Sequence, residues 1–375
     1  MDKGKNPDKT WYRVDNIEEV PSPALLVFPD RVESNIRKMI EIAGDVSRLR
    51  PHVKTHKMPE IIKLQIRHGI NKFKCSTIAE AEMCARNGAT DILIALQPVG
   101  PNIERFFTLK HNFQDIKFSC ITDSEPVIRQ LAEKSVKYGS ETHLWLDINN
   151  GMNRTGIAPD DKAAALYDLI TKLPMLEAEG LHVYDGHIRD SDLSVRKQKS
   201  DEAFLPVNKL SEQLRRSTHT PVKIVAGGSP SFGVHALREG VECSPGTVLL
   251  WDYGYGSSLP DMDFLHAAVL VTRVISKPAE GLISLDLGHK AIASEMPHPR
   301  IKFMNIDNYT AINHSEEHLV IKIQEAGKFS VGDILYGIPW HICPTVDRHD
   351  FVTIVTNNNA TGRWAVEARK RFISI

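Results

Sequence analysis

No stretch of the chain approaches the roughly 18–20 consecutive apolar residues of a membrane span. The first ten residues, MDKGKNPDKT, are polar where a secretory leader is apolar. A cytoplasmic protein is therefore expected. One-sided charge is missing too: 46 Lys+Arg against 47 Asp+Glu give a formal net charge of -1, which offers no general attraction for a polyanion or an anionic membrane. The basic clusters RKQK (196–199), LRR (214–216) and ARKRF (368–372) lack the interleaved aromatics on which bases stack, so they read as solvated faces and no nucleic-acid partner is expected. There is no C-x-x-C pair. The five cysteines, Cys75, Cys84, Cys120, Cys243 and Cys343, are odd in number and too sparse for a secreted disulfide framework, so reduced thiols are the expectation. The first four sit in strand-like or helical segments and read as small buried hydrophobes. Low-complexity tracts are absent, and 42% hydrophobic with 25% charged residues is an ordinary globular composition.

What is present is a long alternation. From residue 48 to 250, β-rich runs alternate with amphipathic stretches, as in successive βα units of a parallel sheet. The spacing predicts strands over Arg48 to Lys54, Lys72 to Ile78, Asp91 to Gln97, Lys117 to Asp123, Thr142 to Ile148, Glu177 to Gly186, Lys223 to Ser229 and Glu242 to Leu250. Between them lie helical candidates such as PEIIKLQIRHG, IAEAEMCARNG, SEPVIRQLAEKSVKYG and DDKAAALYDLITKLP, with apolar residues at i, i+3, i+4 and Gly or Pro at their ends. Eight such strands suggest an α/β (β/α)8 TIM barrel. A doubly wound open sheet is the other arrangement with this alternation, but its G-x-G-x-x-G turn after the first strand is missing. After about residue 252 the texture turns β-rich (AAVLVTRVIS, GLISLDLG, HLVIKI, DILYGI, FVTIVT), which predicts a C-terminal all-β domain. The division expected is an N-terminal segment over 1–30, pairing with the β domain or leading into the barrel, a barrel over 31–251 and a β domain over 252–375.

Catalytic groups of a barrel collect at the C-terminal strand ends. The first strand ends in RPHVKTHK, where Arg50, His52, Lys54 and Lys57 crowd within eight residues. Crowded positive charge disfavours an ammonium, and a lysine so tuned forms a Schiff base near neutral pH. Lys54, at the strand end, is better placed for this than Lys57, which begins the next helix. The fifth ends in LDINNGMNRTG, where Arg154 is the one fixed cation. The sixth ends in LHVYDGHIRD, with Tyr184 and His187 offering polar tips. The seventh ends in VAGGSPSF, where Gly227, Gly228 and Ser229 can present N–H groups and a hydroxyl to a phosphate. Late in the chain, PWHICPTVDRH holds His341 and Cys343. An H-x-C pair in an extended segment points both side chains to one face, where they can share a borderline cation such as zinc. Asp347 and His349 lie close by in sequence. His314 and His318 have i, i+4 spacing, but the run after them alternates like a strand, so they read as structural.

Taken together, RPHVKTHK followed by KFKCSTIAEAE, the DINNGMNRTG loop, VYDGH, AGGSPSF, SPGT with WDYG, and the late HIC resemble the fold-type III pyridoxal phosphate (PLP) enzymes. Within them the likeness is to the group of D-threonine aldolases and D-serine dehydratases, and it covers nearly the whole chain. The resemblance implies an alanine racemase-like barrel with a C-terminal β domain. It implies Lys54 as the lysine that carries pyridoxal 5'-phosphate, Arg154 and Tyr184 against the cofactor, and Gly227, Gly228 and Ser229 on its phosphate. It also implies a divalent metal on His341 and Cys343, and a homodimer. The activity implied is that of a PLP-dependent lyase: metal-assisted retro-aldol cleavage of a D-3-hydroxy amino acid to glycine and an aldehyde. The alternative is dehydration to a 2-oxo acid and ammonia; an amino-acid racemase and a non-catalytic PLP-binding protein are lesser alternatives. The texture of KFKCSTIAEAEMCARNGATDILIALQPVGPNIERF is closer to the aldolases. Cys343 is closer to the dehydratases, since several aldolases have a carboxylate there; a thiolate suits zinc, a carboxylate manganese or magnesium. His187 is the expected base, with His52 and Asp190 behind it.

Overall fold

The computed structural model describes residues 10–324 and 327–375; the start of the predicted N-terminal segment, residues 1–9, lies outside the described residues. The chain divides into two compact units. One comprises Ile36–Val248 with Ser258–Met262 and Glu367–Ile375; the other comprises the chain up to Asn35, Leu249–Ser257 and Asp263–Val366.

In chain order the strands are β1 (Ala24–Val27), then β2 (Lys72–Cys75), β3 (Asp91–Ile94), β4 (Lys117–Thr122), β5 (Thr142–Ile148), β6 (Leu176–Val183), β7 (Lys223–Ala226) and β8 (Val241–Cys243). Strands β2 to β8 form a seven-stranded parallel sheet in sequential order. The predicted strand Arg48 to Lys54 is not a regular strand. Leu49 bridges Cys243 of β8 and His52 bridges Lys74 of β2, both parallel, with Arg50 N–H donating to Cys243 O and Lys74 N–H to Pro51 O, each at 2.9 Å. These few residues link the two edge strands of the parallel sheet. The fold thus has a parallel barrel sheet of seven strands and a separate mixed sheet.

The predicted strand Thr142 to Ile148 is matched at both ends; the other predicted strands that form run past the observed C-terminal ends, for local reasons. β2 stops at Cys75 because Thr77 caps the helix Ile78–Arg86: its hydroxyl accepts from Glu80 N–H at 3.0 Å, while the Glu80 carboxylate accepts from Ser76 N–H at 2.6 Å. This is the reciprocal capping logic of T-x-x-E, shifted by one residue. β7 stops at Ala226 because Gly227 turns to φ +74°. β8 stops at Cys243 before Pro245, which has no N–H to give a ladder. The crossover helices follow end signals readable in sequence. Glu125–Tyr138 has Ser124 before it, Pro126 in its first turn, and Gly139 in the left-handed region after it. Leu146, Ile148, Leu181, Val183, Ile224 and Ala226 from β5 to β7 pack with Tyr167, Phe204 and Leu210 in one buried cluster.

The second unit is built on β9 (Ala268–Ala279), β10 (Leu282–Leu285), β11 (Ile301–Phe303), β12 (Tyr309–His314), β13 (Leu319–Ile323), β14 (Ile334–Pro339), β15 (Phe351–Thr356) and β16 (Asn359–Ala365). The sheet runs β12-β13-β10-β9-β1-β15-β16, with β14 pairing β9 and β11. The N-terminal β1 lies inside this sheet, antiparallel to β9 and parallel to β15. Leu26 and Phe28 join Tyr12, Val14, Val269, Val271 and Tyr336 in its core. The hairpin β15–β16 turns through Asn357 and Asn358, both at positive φ, as a tight two-residue turn requires. Among the described residues no helix is long and apolar enough to cross a membrane.

Candidate active site

The C-terminal ends of the parallel strands enclose a cavity of about 480 Å³, lined among others by His52, Lys54, Lys74, Asp147, Arg154, His182 and Tyr184. Three cations face the Tyr184 ring: Arg154 Cζ at 4.7 Å from its centroid, Lys74 Nζ at 5.7 Å and Lys54 Nζ at 5.9 Å. The negative face of an aromatic ring is a place where positive groups can gather.

The basic crowd of RPHVKTHK is dispersed. Arg50 is 2% exposed and turns away to Asp91 at 2.6 Å and Glu242 at 2.8 Å. Lys57 pairs with Glu80 at 3.0 Å. His52 accepts Lys54 N–H on Nδ1 at 3.4 Å, and its Nε2 lies 3.1 Å from Ser76 Oγ. Burial first, then the charges of Lys54 and Lys74, push His52 well below the usual histidine value, so it is neutral. The like-charged neighbour of Lys54 is thus Lys74, from the next strand.

The same cavity is lined by a buried acid–histidine pair. Asp147 Oδ1 accepts from His182 Nδ1 at 2.7 Å, and His182 Nε2, buried, has no partner. Burial holds His182 below its ordinary value despite Asp147. Following β6, Asp185 accepts from Ser231 Oγ at 2.6 Å and from His235 Nε2 at 2.7 Å, while Arg238 donates to His235 Nδ1 at 2.6 Å. Asp185 and His235 are each about 1% exposed.

This network backs the Gly227–Ser229 turn. The N–H groups of Gly227 and Gly228 are spent on Val183 O at 2.9 Å and Ser231 Oγ at 3.4 Å, contrary to the expectation that they face a ligand. From SPGT, the Thr247 and Gly246 N–H groups converge on Ser229 Oγ at 3.0 and 3.3 Å. The glycines matter for space. A Cβ on Gly227 would meet His235 Cδ2 at 2.5 Å, and one on Gly228 would meet Tyr184 Cε2 at 3.0 Å.

A cofactor with a flat ring and a phosphate fits these residues. A cavity beside Tyr184 would take the ring, Lys54 would offer an amine, and the glycine turn beside the Ser229 hydroxyl and two N–H groups would take the phosphate. Of the other predicted residues, His187 is exposed and borders the Asn149–Arg154 loop, its Nε2 3.1 Å from where a Gly151 Cβ would stand; it does not line the cavity. Asp190 pairs with Lys199 at 2.5 Å. A larger depression, about 880 Å³, lies at the opposite strand ends. Its lysines are committed, Lys110 to Glu141 O and Thr142 Oγ1 and Lys117 to Glu179.

In the other unit, His341 and Cys343 do come together, though not along a strand. His341 caps the short helix Ile342–Val346, and Cys343 stands in its first turn, because the chain turns after β14 toward Pro344. His341 Nδ1 is 2.5 Å from Glu295 Oε1. Burial disfavours its charge, but Cys343, Glu295 and Asp252 outweigh that and raise it to about 9. A carboxylate steadying one ring nitrogen is the usual support of a metal-binding histidine. Among the described residues no group of three or more His, Cys, Asp or Glu side chains is arranged to hold a metal. His349 Nε2 is bound to Ala291 O at 2.9 Å, and His314 Nε2 to Leu287 O at 3.1 Å.

The sequence reading missed Lys74, His182, Asp185, His235, Glu295 and the Gly246–Thr247 donors. Lys74 and His182 alternate with apolar neighbours on β2 and β6, and inward-facing polar residues at strand ends were the one signal for them.

Comparison with known proteins gives the same frame. Residues 27–254 match the family model "Alanine racemase, N-terminal domain", and residues 267–355 match "Putative serine dehydratase domain". The chain is 27% identical to a D-threonine aldolase of Arthrobacter sp over 95% of this chain and 94% of that protein. It is 27% identical to a 3-hydroxy-D-aspartate aldolase of Paracoccus denitrificans (strain Pd 1222), over 94% and 92%. A D-threo-3-hydroxyaspartate dehydratase of Delftia sp. (strain HT23) shares 24% over 88% and 93%. Among solved structures, a D-threonine aldolase from Filomicrobium marinum superposes with a TM-score of 0.85 at 27% identity, covering 93% of this chain and 96% of that one. A cysteine-to-alanine variant of a D-threo-3-hydroxyaspartate dehydratase in the metal-free form gives 0.79 at 20%, covering 92% and 97%.

Proposed function

Since the chain belongs to the fold-type III PLP family built on the alanine racemase N-terminal domain, we propose that it is a PLP- and divalent-metal-dependent lyase of D-3-hydroxy amino acids, cleaving them to glycine and an aldehyde. The observation that carries this reading is the cavity in which Lys54 and Arg154 meet Tyr184, in a chain similar over nearly its full length to two aldolases.

Lys54 would hold pyridoxal 5'-phosphate, Tyr184 would back its ring, and Ser229 with the N–H groups of Gly246 and Thr247 would bind its phosphate. When bound, the cofactor supplies an electron sink for charge developing at the substrate's Cα. Arg154, the fixed cation over the Tyr184 ring, orients polar edges in the cavity. Asp147 holds a proton on His182 Nδ1 and leaves Nε2 as an acceptor. His341 and Cys343 would hold the metal, an imidazole and a thiol being a donor set suited to zinc. His187, beside the Asn149–Arg154 loop and outside the cavity lining, is assigned the proton of the substrate's hydroxyl on the resemblance of the VYDGH segment alone. The chain is read as a cytoplasmic homodimer.

Dehydration is the second reading, favoured by Cys343. A dehydratase of this architecture is known metal-free as a cysteine-to-alanine variant. Product analysis with D-threonine, in the presence of PLP and zinc or manganese, tests the choice. Glycine and acetaldehyde from the D isomer alone support the aldolase. Formation of 2-oxobutanoate and ammonia overturns it for the dehydratase, and turnover of L-threonine alone overturns the stereochemical assignment.

A further inference from the structure

We propose that the buried Asp147–His182 pair is the partner of the cofactor's ring nitrogen, with His182 Nε2 accepting the hydrogen that a protonated ring nitrogen donates. The inference rests on the reading of the cavity as the PLP site and goes beyond it by naming the group that sets the charge of the ring.

Asp147 on β5 and His182 on β6 stand opposite each other in the strand register. Both line the cavity that Lys54 and Tyr184 share, and each is 3% exposed. Asp147 Oδ1 accepts from His182 Nδ1 at 2.7 Å. That fixes the proton on Nδ1 and turns Nε2 into a lone-pair acceptor. Nε2 is buried and has no partner, and a buried acceptor left unmet is costly. The charged and titratable groups that face His182 are Asp147, Lys74 from β2, Arg154 from the loop after β5, and His52 from the segment before β2. Burial opposes a second proton on the imidazole and outweighs Asp147, with Lys74 and Arg154 acting in the same direction. The site therefore asks for a donor from a ligand.

The constitution of PLP says which of its atoms arrives there. The aldehyde and the phosphate arm stand on adjacent ring carbons, and the nitrogen lies across the ring from the carbon that bears the aldehyde. Lys54, which would meet the aldehyde, follows the segment that joins the edges of the parallel sheet. Ser229, Gly246 and Thr247, which would hold the phosphate, follow β7 and β8. In a sheet that runs from β2 to β8 in order, both anchors lie on one side, and the nitrogen edge of the ring is left to the middle strands. Two other acceptors on that wall are already engaged. Gln97 Oε1 takes Thr122 Oγ1 at 2.8 Å and Asp123 N–H at 3.0 Å, and Asp123 Oδ2 takes Gly156 N–H at 2.8 Å. His182 Nε2 is the one left over. A carboxylate behind a neutral imidazole favours a proton on the nitrogen in front of it, and a protonated ring is the stronger electron sink.

The test uses the full-length chain and reads binding and ring protonation, so it does not depend on turnover. Cofactor-free protein is loaded with PLP labelled with 15N in the ring, and the nitrogen's chemical shift is recorded at neutral pH. Wild type is expected to show the upfield shift of a protonated nitrogen, and His182→Leu the downfield shift of a bare one. The affinity of both proteins is then titrated for PLP and for its 1-deaza analogue, in which a C–H replaces the ring nitrogen. His182→Leu is expected to bind PLP about tenfold more weakly than wild type, the loss of one buried hydrogen bond, and to bind the deaza analogue equally well. A bare nitrogen in wild type overturns the proposal without recourse to any variant. An equal loss of affinity for both compounds overturns it too, since that marks a structural role. Binding of both compounds with no effect of the substitution removes the His182 assignment and leaves the cofactor reading standing. Wild type that binds neither compound overturns the cofactor reading and this assignment with it.

Discussion

Replacing Gly227 by alanine perturbs the Gly227–Ser229 turn at its most constrained point. The residue sits at φ +74°, and an added Cβ would stand 2.5 Å from His235 Cδ2 and 2.9 Å from Ser231 Oγ. An L residue in the left-handed region costs about 1–2 kcal/mol. Relieving the contact requires the His235 ring to move by several tenths of an ångström, yet that ring is held between Asp185 at 2.7 Å and Arg238 at 2.6 Å. Loosening one buried polar partner costs about 1–3 kcal/mol more. The expected loss of stability is therefore about 2–5 kcal/mol, measured by urea unfolding of the cofactor-free chain. PLP affinity, followed by fluorescence quenching, is expected to fall with it, because the turn that would hold the phosphate shifts. Gly362→Ala is the control, since a Cβ there meets nothing within 4 Å; it should change stability by no more than about 0.5 kcal/mol. A Gly227→Ala protein that unfolds and binds PLP like the Gly362→Ala protein would refute the reasoning.

Three further outcomes are expected. Ser229→Ala removes the hydroxyl proposed to meet the phosphate, on which the Gly246 and Thr247 N–H groups converge, so PLP affinity is expected to drop by about tenfold, as titration of the apo-chain will read. His56 is fully buried, with Nδ1 accepting from Met58 N–H at 3.1 Å and Nε2 unpartnered, and burial pushes it down to about 3. The unfolded chain therefore takes up a proton below about pH 6.5 that the folded chain refuses. Folding stability should fall by about 2 kcal/mol between about pH 6.5 and 5 from this residue, and His56→Asn should flatten that slope in denaturant titrations at the two pH values. His341→Ala should abolish zinc retention in equilibrium dialysis. Cys343→Ser should weaken zinc more than manganese, since it replaces a soft donor by a hard one; equal zinc content in wild type and both variants would remove the metal assignment.

Much of the barrel was legible because each βα unit signals locally. Strand runs were bounded by the Thr77 cap, by Ser124 and by glycines such as Gly139, so β2 to β7 fell within a few residues of the alternation, while β8 ends at Cys243, well before the predicted Leu250. Tyr184 was legible because it directly follows β6; Arg154 lies in the loop after β5, and Lys54 in a short helical turn after the segment that bridges the two edge strands. What the sequence hid is what long-range packing decides. Arg50 and Lys57 looked like neighbours of Lys54, but their charges are answered by Asp91, Glu242 and Glu80. Lys74 looked like one more polar residue in a strand, and became a neighbour only through the His52–Lys74 bridge. Asp185 and His235 are 50 residues apart, and no spacing rule joins them. Likewise β1 had no local sign that it would lie between β9 and β15. The H-x-C pair was found by spacing, though for a reason the structure corrects: a helix start, rather than an extended segment, brings the side chains together.

The central claim is that Lys54 carries PLP. Borohydride reduction of the PLP-loaded chain, followed by peptide mass spectrometry, tests it most directly. A phosphopyridoxyl group on the peptide bearing Lys54, lost in Lys54→Met, is the result expected. A label on Lys74 in place of Lys54, or no label on any lysine of the cavity, would contradict the account.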